Sequence, residues 1–209
     1  MSGPAAKPMR LPRAEKTAAT RDAILAAALR EFSARGFAAT RLEDVAKRAG
    51  VAKGTIYVHF RDKESLFEQL VRTSLAPAID FVEALPALDM PLRELAEQLC
   101  AFFVREICET ERKDVLRLIV TEGPRFPALA HIYYREVPAR VLPVIRAVLE
   151  RAHRRGEIPS DALARFPQLL IAPGLVGILW NSLFERFEPL DVGAFMRAHI
   201  ELLFGPRPS

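Results

Sequence analysis

The 209-residue chain predicts an all-α fold, and three observations carry that prediction. Apolar residues recur at three- and four-residue spacing through almost every segment. The prolines and glycines punctuate those segments. No stretch shows the alternation of a strand or the turn of a hairpin. Half of the residues are hydrophobic, enough to build a core for one large or two modest domains.

Residues 1–16, rich in Pro, Ala, Lys and Arg, read as a disordered basic N-terminal arm. From Ala18 to Arg35 the residues Ile24, Leu25, Ala28, Leu29 and Phe32 share one helical face. Gly36 ends that helix, and Phe37 packs back on its last turn. Thr40 followed by Glu43 forms a capping-box pattern, and Leu42, Val45, Ala46 and Ala49 continue as a short helix. Gly50 allows a sharp turn. Ala52 to Phe60 then buries Ile56 and Phe60 and leaves Lys53, Thr55, Tyr57, Val58 and His59 outside. Helix, tight turn, helix is the outcome, and a second helix with that outer face suits the major groove of duplex DNA.

Charge follows the same division. Residues 1–64 hold thirteen Lys or Arg against seven Asp or Glu, whereas residues 65–209 hold seventeen against nineteen. The basic excess therefore lies with the helix-turn-helix, as a nucleic-acid partner requires, although a merely solvated basic surface has the same count.

Asp62 caps a fourth helix through Leu66, Phe67, Leu70 and Val71, which Pro77 kinks or ends. Leu85 to Met90 is a connection. Pro91 opens a long helix carrying Leu92, Leu95, Leu99, Phe102, Phe103, Ile107 and Cys108 on a broad apolar stripe. A further helix covers Lys113 to Glu122, stopped by Gly123 and Pro124. Phe126 to Arg155 is helical but interrupted by Pro138 and Pro143, as one kinked helix or two shorter ones. Asp161 caps a helix that passes Pro173 and runs to Phe184. Its apolar surface is too continuous for a lone amphipathic helix, so it is either a central core helix or a face covered by a second subunit. Asp191 caps the last helix, and 205–209 form a C-terminal tail.

The segment Gly50, Lys53, Gly54, Thr55, Tyr57, His59, Phe60, Lys63 and Glu64, preceded by Leu29, Phe32, Gly36, Phe37 and Thr40, resembles the DNA-binding segment of the TetR family of transcriptional regulators. That resemblance implies a three-helix DNA-binding domain over 17–62 and a larger helical regulatory and dimerisation domain over 63–204. It places Thr40, Arg41, Lys53, Gly54, Thr55, Tyr57, Val58, His59 and Lys63 at the DNA face. A homodimer reading two half-sites of a double-stranded operator follows, because a single recognition helix buries little area. The family's dimer contacts imply Leu175, Ile178, Leu179, Leu183, Phe195, Ile200 and Leu203 as the interface. Its effector site implies a pocket for an apolar or amphipathic small molecule among Phe102, Phe103, Ile107, Ile119, Tyr133, Tyr134 and Trp180, residues whose spacing equally suits a plain core; Glu122 or Arg125, beside Gly123 and Pro124, are either recognisers of a charged group or a solvated helix end. The implied function is a ligand-released repressor. A transcriptional activator, a ligand-promoted DNA binder, or a helical interaction module that does not read DNA are the alternatives.

Catalysis is not expected. His59, His131, His153 and His199 lack metal-ligand spacing, and neither a glycine-rich phosphate loop nor a nucleophile elbow occurs, so no metal or cofactor is anticipated. Cys100 and Cys108 on one helix would stand about 12 Å apart along its axis, too far for a disulfide. Such cysteine usage suits a reducing cytoplasm, and no apolar window reaches the roughly 20 residues that span a bilayer.

Overall fold

The structure, a computed structural model, describes residues 13–206, which form eleven α-helices and no strand. The chain divides into two compact units, Met1–Leu66 and Phe67–Ser209.

The first unit contains α1 (Arg13–Ala39), α2 (Leu42–Arg48), α3 (Lys53–His59) and the opening of α4 (Lys63–Ala84). Helix α1 begins at Arg13, so residues 13–16, expected in the arm, are helical. The rest of that arm, residues 1–12, lies outside the described residues, as do 207–209 of the expected tail. Gly36 leaves the helical region at φ 75°, ψ 167°, a conformation that favours glycine, and breaks α1 near its end. Phe37 is thereby turned inward, its ring centroid 5.3 Å from that of Phe32. Ile24, Ala28, Phe32, Val45, Ile56 and Phe60 are almost wholly removed from solvent. Burying each large side chain among them contributes about 1.5–3 kcal/mol, which is what holds such short helices together.

One buried charge ties α1 to α2. Glu31, 3% exposed, receives Arg48 Nε at 2.6 Å and has Arg35 Nε 3.4 Å away. Arg35 also reaches Asp44. The capping box expected at Thr40 and Glu43 is not formed, because the residue flanking α2 is Arg41, without a side-chain cap. Thr40 instead donates its hydroxyl back to Gly36 O at 2.8 Å, an acceptor freed by the break in α1. A reciprocal cap of the same type opens α4: Ser65 N–H donates to Asp62 Oδ1 at 2.7 Å, and Asp62 N–H faces Ser65 Oγ at 3.2 Å.

Pro77 neither ends nor displaces α4, which runs on to Ala84. A proline removes one ladder bond, but Leu75, Ile79 and Val82 on the same face are buried on both sides of it and keep the helix course. The second unit continues with a 3₁₀ turn (Leu85–Ala87), α5 (Leu92–Phe103), α6 (Arg112–Glu122), α7 (Pro127–Glu136), α8 (Pro138–Arg154), α9 (Ala162–Arg165), α10 (Gln168–Phe184) and α11 (Val192–Phe204). The stripe expected to form one helix through Cys108 ends its α-helical part at Phe103 and passes into a π turn, Val104–Cys108, marked by Glu109 N–H donating to Val104 O at 3.0 Å. Of the two arrangements open for 126–155, the structure has two helices. Val137, just before Pro138, leaves the helical region at φ −124°, ψ −74°, while Pro143 is absorbed within α8. A like departure separates α9 from α10 at Phe166, before Pro167, where a single helix had been expected. Asp191 caps α11 as expected, its Oδ1 accepting Ala194 N–H at 2.9 Å.

Helices α4 and α7 share an ion cluster with a consequence for acid stability. Glu136, 6% exposed, accepts Arg72 Nε at 2.7 Å and Arg135 Nε at 2.8 Å. Those guanidinium bonds, Arg72's first, hold its carboxyl down at about 2, against an ordinary 4.5. A carboxylate lowered on folding stabilises fully above its ordinary value and loses that contribution as pH falls through the lowered one. Stability is therefore expected to decline between about pH 4.5 and 2 by an amount on the order of 1–3 kcal/mol, discounted for the half-exposed arginines. In chemical denaturation at a series of pH values, Glu136→Gln should flatten that decline; an unchanged slope would assign it to other carboxylates.

Candidate nucleic-acid interface and apolar cavity

The turn between α2 and α3 is built by the backbone. Gly50, at φ 70°, lets its N–H donate to Lys47 O at 3.2 Å while Val51 N–H donates to Ala46 O at 3.0 Å, closing the end of α2. The chain is then free to begin α3 at Lys53. Ile56 on the inner side of α3 is fully buried and fixes the helix's rotation, which turns Lys53, Gly54, Tyr57 and Val58 to solvent. Thr55 and His59 are half-buried at the edges of that face, and Arg41 is exposed just before α2. No protein atom lies within 4 Å of where a Cβ on Gly54 would stand, so the fold itself does not require glycine there.

Two residues expected at the DNA face are engaged inside the unit. Thr40 is 1% exposed, its hydroxyl committed to α1. Lys63 Nζ donates to Phe37 O at 2.6 Å and Ala38 O at 3.1 Å and lies 4.6 Å from the centroid of the Phe37 ring. The cost of a cation at the start of α4 is thus offset by carbonyls left open beyond the Gly36 break.

Glu43 on α2 is a member of this surface that the sequence reading assigned only to a cap. One of its oxygens, Oε1, lies 3.1 Å from Lys53 Nζ and accepts the Tyr57 hydroxyl at 3.2 Å. Its carboxyl is held below the ordinary range, first by its own backbone N–H and then by Lys53 and Tyr57, while Lys53 is held above its ordinary value by Glu43. No periodic signal could have found it, since the pair is ten residues apart across a turn. A single carboxylate therefore gathers the cation and the phenol of α3.

In the second unit, α4, α5, the π turn, α6, α7, α8 and α10 line a cavity of about 120 Å³ that opens to solvent. Phe102, Phe103, Ile107 and Tyr133, four of the residues expected in a pocket, line it together with Leu75, Ile79 and Leu99. Gly174 permits the Phe103 ring to lie where a Cβ would come within 2.5 Å. Ile119, Tyr134 and Trp180 are not in the wall, and neither are Glu122 and Arg125. Trp180 stands on the outer side of α10, its Nε1 donating to Glu188 O at 2.7 Å.

That outer side is apolar and open. Leu169, Val176, Trp180, Leu183 and Phe187 are exposed, Leu183 to 67% and Phe187 to 85%. The spacing of seven, four and three residues keeps Leu169, Val176, Trp180 and Leu183 on one stripe of α10, and Phe187 lies in the turn just beyond the helix. Of the residues expected at a subunit interface, Leu183 and Phe195 are exposed and Leu179 is half-buried. Ile178 and Ile200 are instead buried within their own unit, Leu175 faces the cavity, and Leu203 packs on the unit's core. An all-round apolar helix offers no polar face from which its rotation could be read.

Residues 24–70 match the family model described as bacterial regulatory proteins, tetR family, and residues 92–169 match that of the AefR-like transcriptional repressor C-terminal domain. The chain is 31% identical over 191 residues to the HTH-type transcriptional repressor BepR of Brucella suis biovar 1 (strain 1330), covering 88% of this chain and 89% of that protein. It is 48% identical over 171 residues to the uncharacterized HTH-type transcriptional regulator YhgD of Bacillus subtilis (strain 168), covering 80% and 86%. Among solved structures, the fatty acid degradation regulator FadR of Bacillus halodurans superposes with a TM-score of 0.69 over 94% of this chain and 97% of that one. At 18% identity, that likeness concerns the fold alone.

Proposed function

The chain belongs to the TetR family of bacterial regulatory proteins and is a DNA-binding regulator of transcription, and we propose that it is a homodimeric repressor released from a palindromic operator by a small apolar molecule. The observation that carries this reading is the outer face of α3: a buried Ile56 presents Lys53, Gly54, Tyr57 and Val58 together to solvent. Lys53 supplies a cation for phosphate or a guanine edge, Tyr57 a hydroxyl for phosphate, and Val58 an apolar contact for a thymine methyl. Thr55, His59 and Arg41 flank them within reach of the backbone, Gly54 admits close approach, and Thr40 and Lys63 act from behind by fixing the Gly36 break.

The exposed stripe of α10 supports pairing with a second copy, which sets two α3 helices to read two half-sites. Repression is supported by the name of the Brucella relative. Release requires a ligand with different affinities for two spacings of the paired α3 helices. Helix α4 starts at the Asp62 cap, and its later turns give Leu75 and Ile79 to the cavity wall.

Fluorescence-anisotropy titration against the upstream intergenic DNA and a scrambled duplex, at about 150 mM salt, tests the reading. The expected outcome is a preference of about 10³ or more for the upstream fragment. Equal weak binding to both, and to a genome-wide fragment pool, would remove the assignment.

A further inference from the structure

We propose that the cavity of the second unit selects an uncharged ligand about the size of one substituted ring, oriented by a single hydrogen bond to Tyr133. The inference deepens the effector reading above and rests on it for the cavity's role, though not for the binding chemistry.

The wall decides the class of ligand. Every lining side chain is aliphatic or aromatic hydrocarbon except that of Tyr133, and no charged residue contributes. An ion placed there would give up part of its hydration without gaining a counter-charge, so carboxylates, phosphates and ammonium compounds are disfavoured. The volume decides the size. About 120 Å³ is slightly below the roughly 150 Å³ of an apolar cavity that takes up benzene. Phe102, stacked on Phe81 at 4.2 Å between centroids, and Phe103 give the wall flat surfaces suited to an aromatic ring.

Tyr133 decides orientation. Burial pushes its phenol up to about 12, with no other cause contributing, so it remains a neutral donor throughout the physiological range. No hydrogen bond from its hydroxyl to protein occurs among the described residues, unlike Tyr57, whose hydroxyl has Glu43. A hydroxyl with no protein partner is free to bond a ligand group, and a ligand hydroxyl or carbonyl takes that bond without bringing charge. A hydrocarbon of the same shape fills the space but leaves the phenol unpaired.

The test uses the full-length protein without DNA and four probes of one shape at pH 7: 4-methylphenol, toluene, 4-methylbenzoate and 4-methylbenzylammonium. Calorimetric titration should rank 4-methylphenol about 5–10-fold tighter than toluene, and both at least 10-fold tighter than either ion. Tyr133→Phe should remove the advantage of the phenol and leave toluene unchanged. Ala78→Leu, which fills the cavity from α4, should abolish binding of both neutral probes. The proposal is overturned by an ion that binds as tightly as its neutral analogue, by no binding of either neutral probe, or by a phenol advantage that survives Tyr133→Phe. A separate operator-release assay keeps the two readings apart. Selective binding that leaves DNA affinity unchanged would defeat the effector role while the cavity's chemistry stands.

Discussion

Lys53→Ala is expected to weaken operator binding by about 30- to 1,000-fold while leaving the unfolding temperature within about 1 °C of the parent. Its side chain is 68% exposed and its one ion pair, with Glu43, lies at the surface, so the fold loses little when it is truncated. A phosphate or guanine contact is worth about 1–2 kcal/mol, and a dimer on a palindrome loses it twice. Anisotropy at two salt concentrations separates the contact types, since loss of a phosphate contact lowers the salt slope by about one per site while loss of a base contact does not. The partner substitution Glu43→Gln should move the other way on scrambled DNA. A carboxylate beside Lys53 repels the backbone and holds the cation at 3.1 Å, so its neutralisation should tighten non-specific binding and narrow the ratio between operator and scrambled duplex. Unchanged binding to both duplexes in both variants would show that the Lys53–Glu43 pair lies away from the groove.

Leu183→Glu should convert the protein to a folded monomer with little operator affinity. The side chain is two-thirds exposed within its own chain, so a glutamate there meets water and leaves the helical circular dichroism intact. Against a second copy it would bury a charge twice without a counter-ion, and a rise in the dimer dissociation constant on the order of 10³ or more is expected. Light scattering behind size exclusion reads the mass directly, and operator titration reads the consequence. A dimer of undiminished stability would move the interface off the α10 stripe.

The helical class and the order of elements were legible because the apolar spacing and its punctuation agree along the chain. What escaped were joints whose cause lies in one residue's backbone. Pro167 and Pro138 break helices at the residue in front of them, whereas Pro77, equally visible, is tolerated with buried neighbours on either side, and Pro143 stands early in α8, ahead of the buried Ile145, Val148 and Leu149. Within the site, Ile56 and Gly50 are local signals and fixed the exposed face of α3 in advance. Thr40, Lys63 and Glu43 find their partners across a break or a turn, and linear spacing does not encode such meetings. Phe102, Phe103, Ile107 and Tyr133 converge on the cavity while Trp180 faces outward, a division made by helix rotation in a segment whose sequence is apolar on every side.

The π turn after α5 bears on how such a chain could vary over evolutionary time. Leu99, Phe103 and Ile107 all line the cavity at four-residue steps, and in an unbroken α-helix each step would swing the side chain about 40° further round the axis. The wider turn at Val104–Cys108 takes back part of that swing, so Ile107 returns to the wall instead of drifting past it. A helix that has absorbed one residue can also shed it. Losing a residue between 104 and 108 would restore the tighter ladder, withdraw Ile107 and reshape the chamber while every other helix kept its place. Relatives that differ by a single codon at this seam would then diverge in what they sense long before they diverge in how they fold.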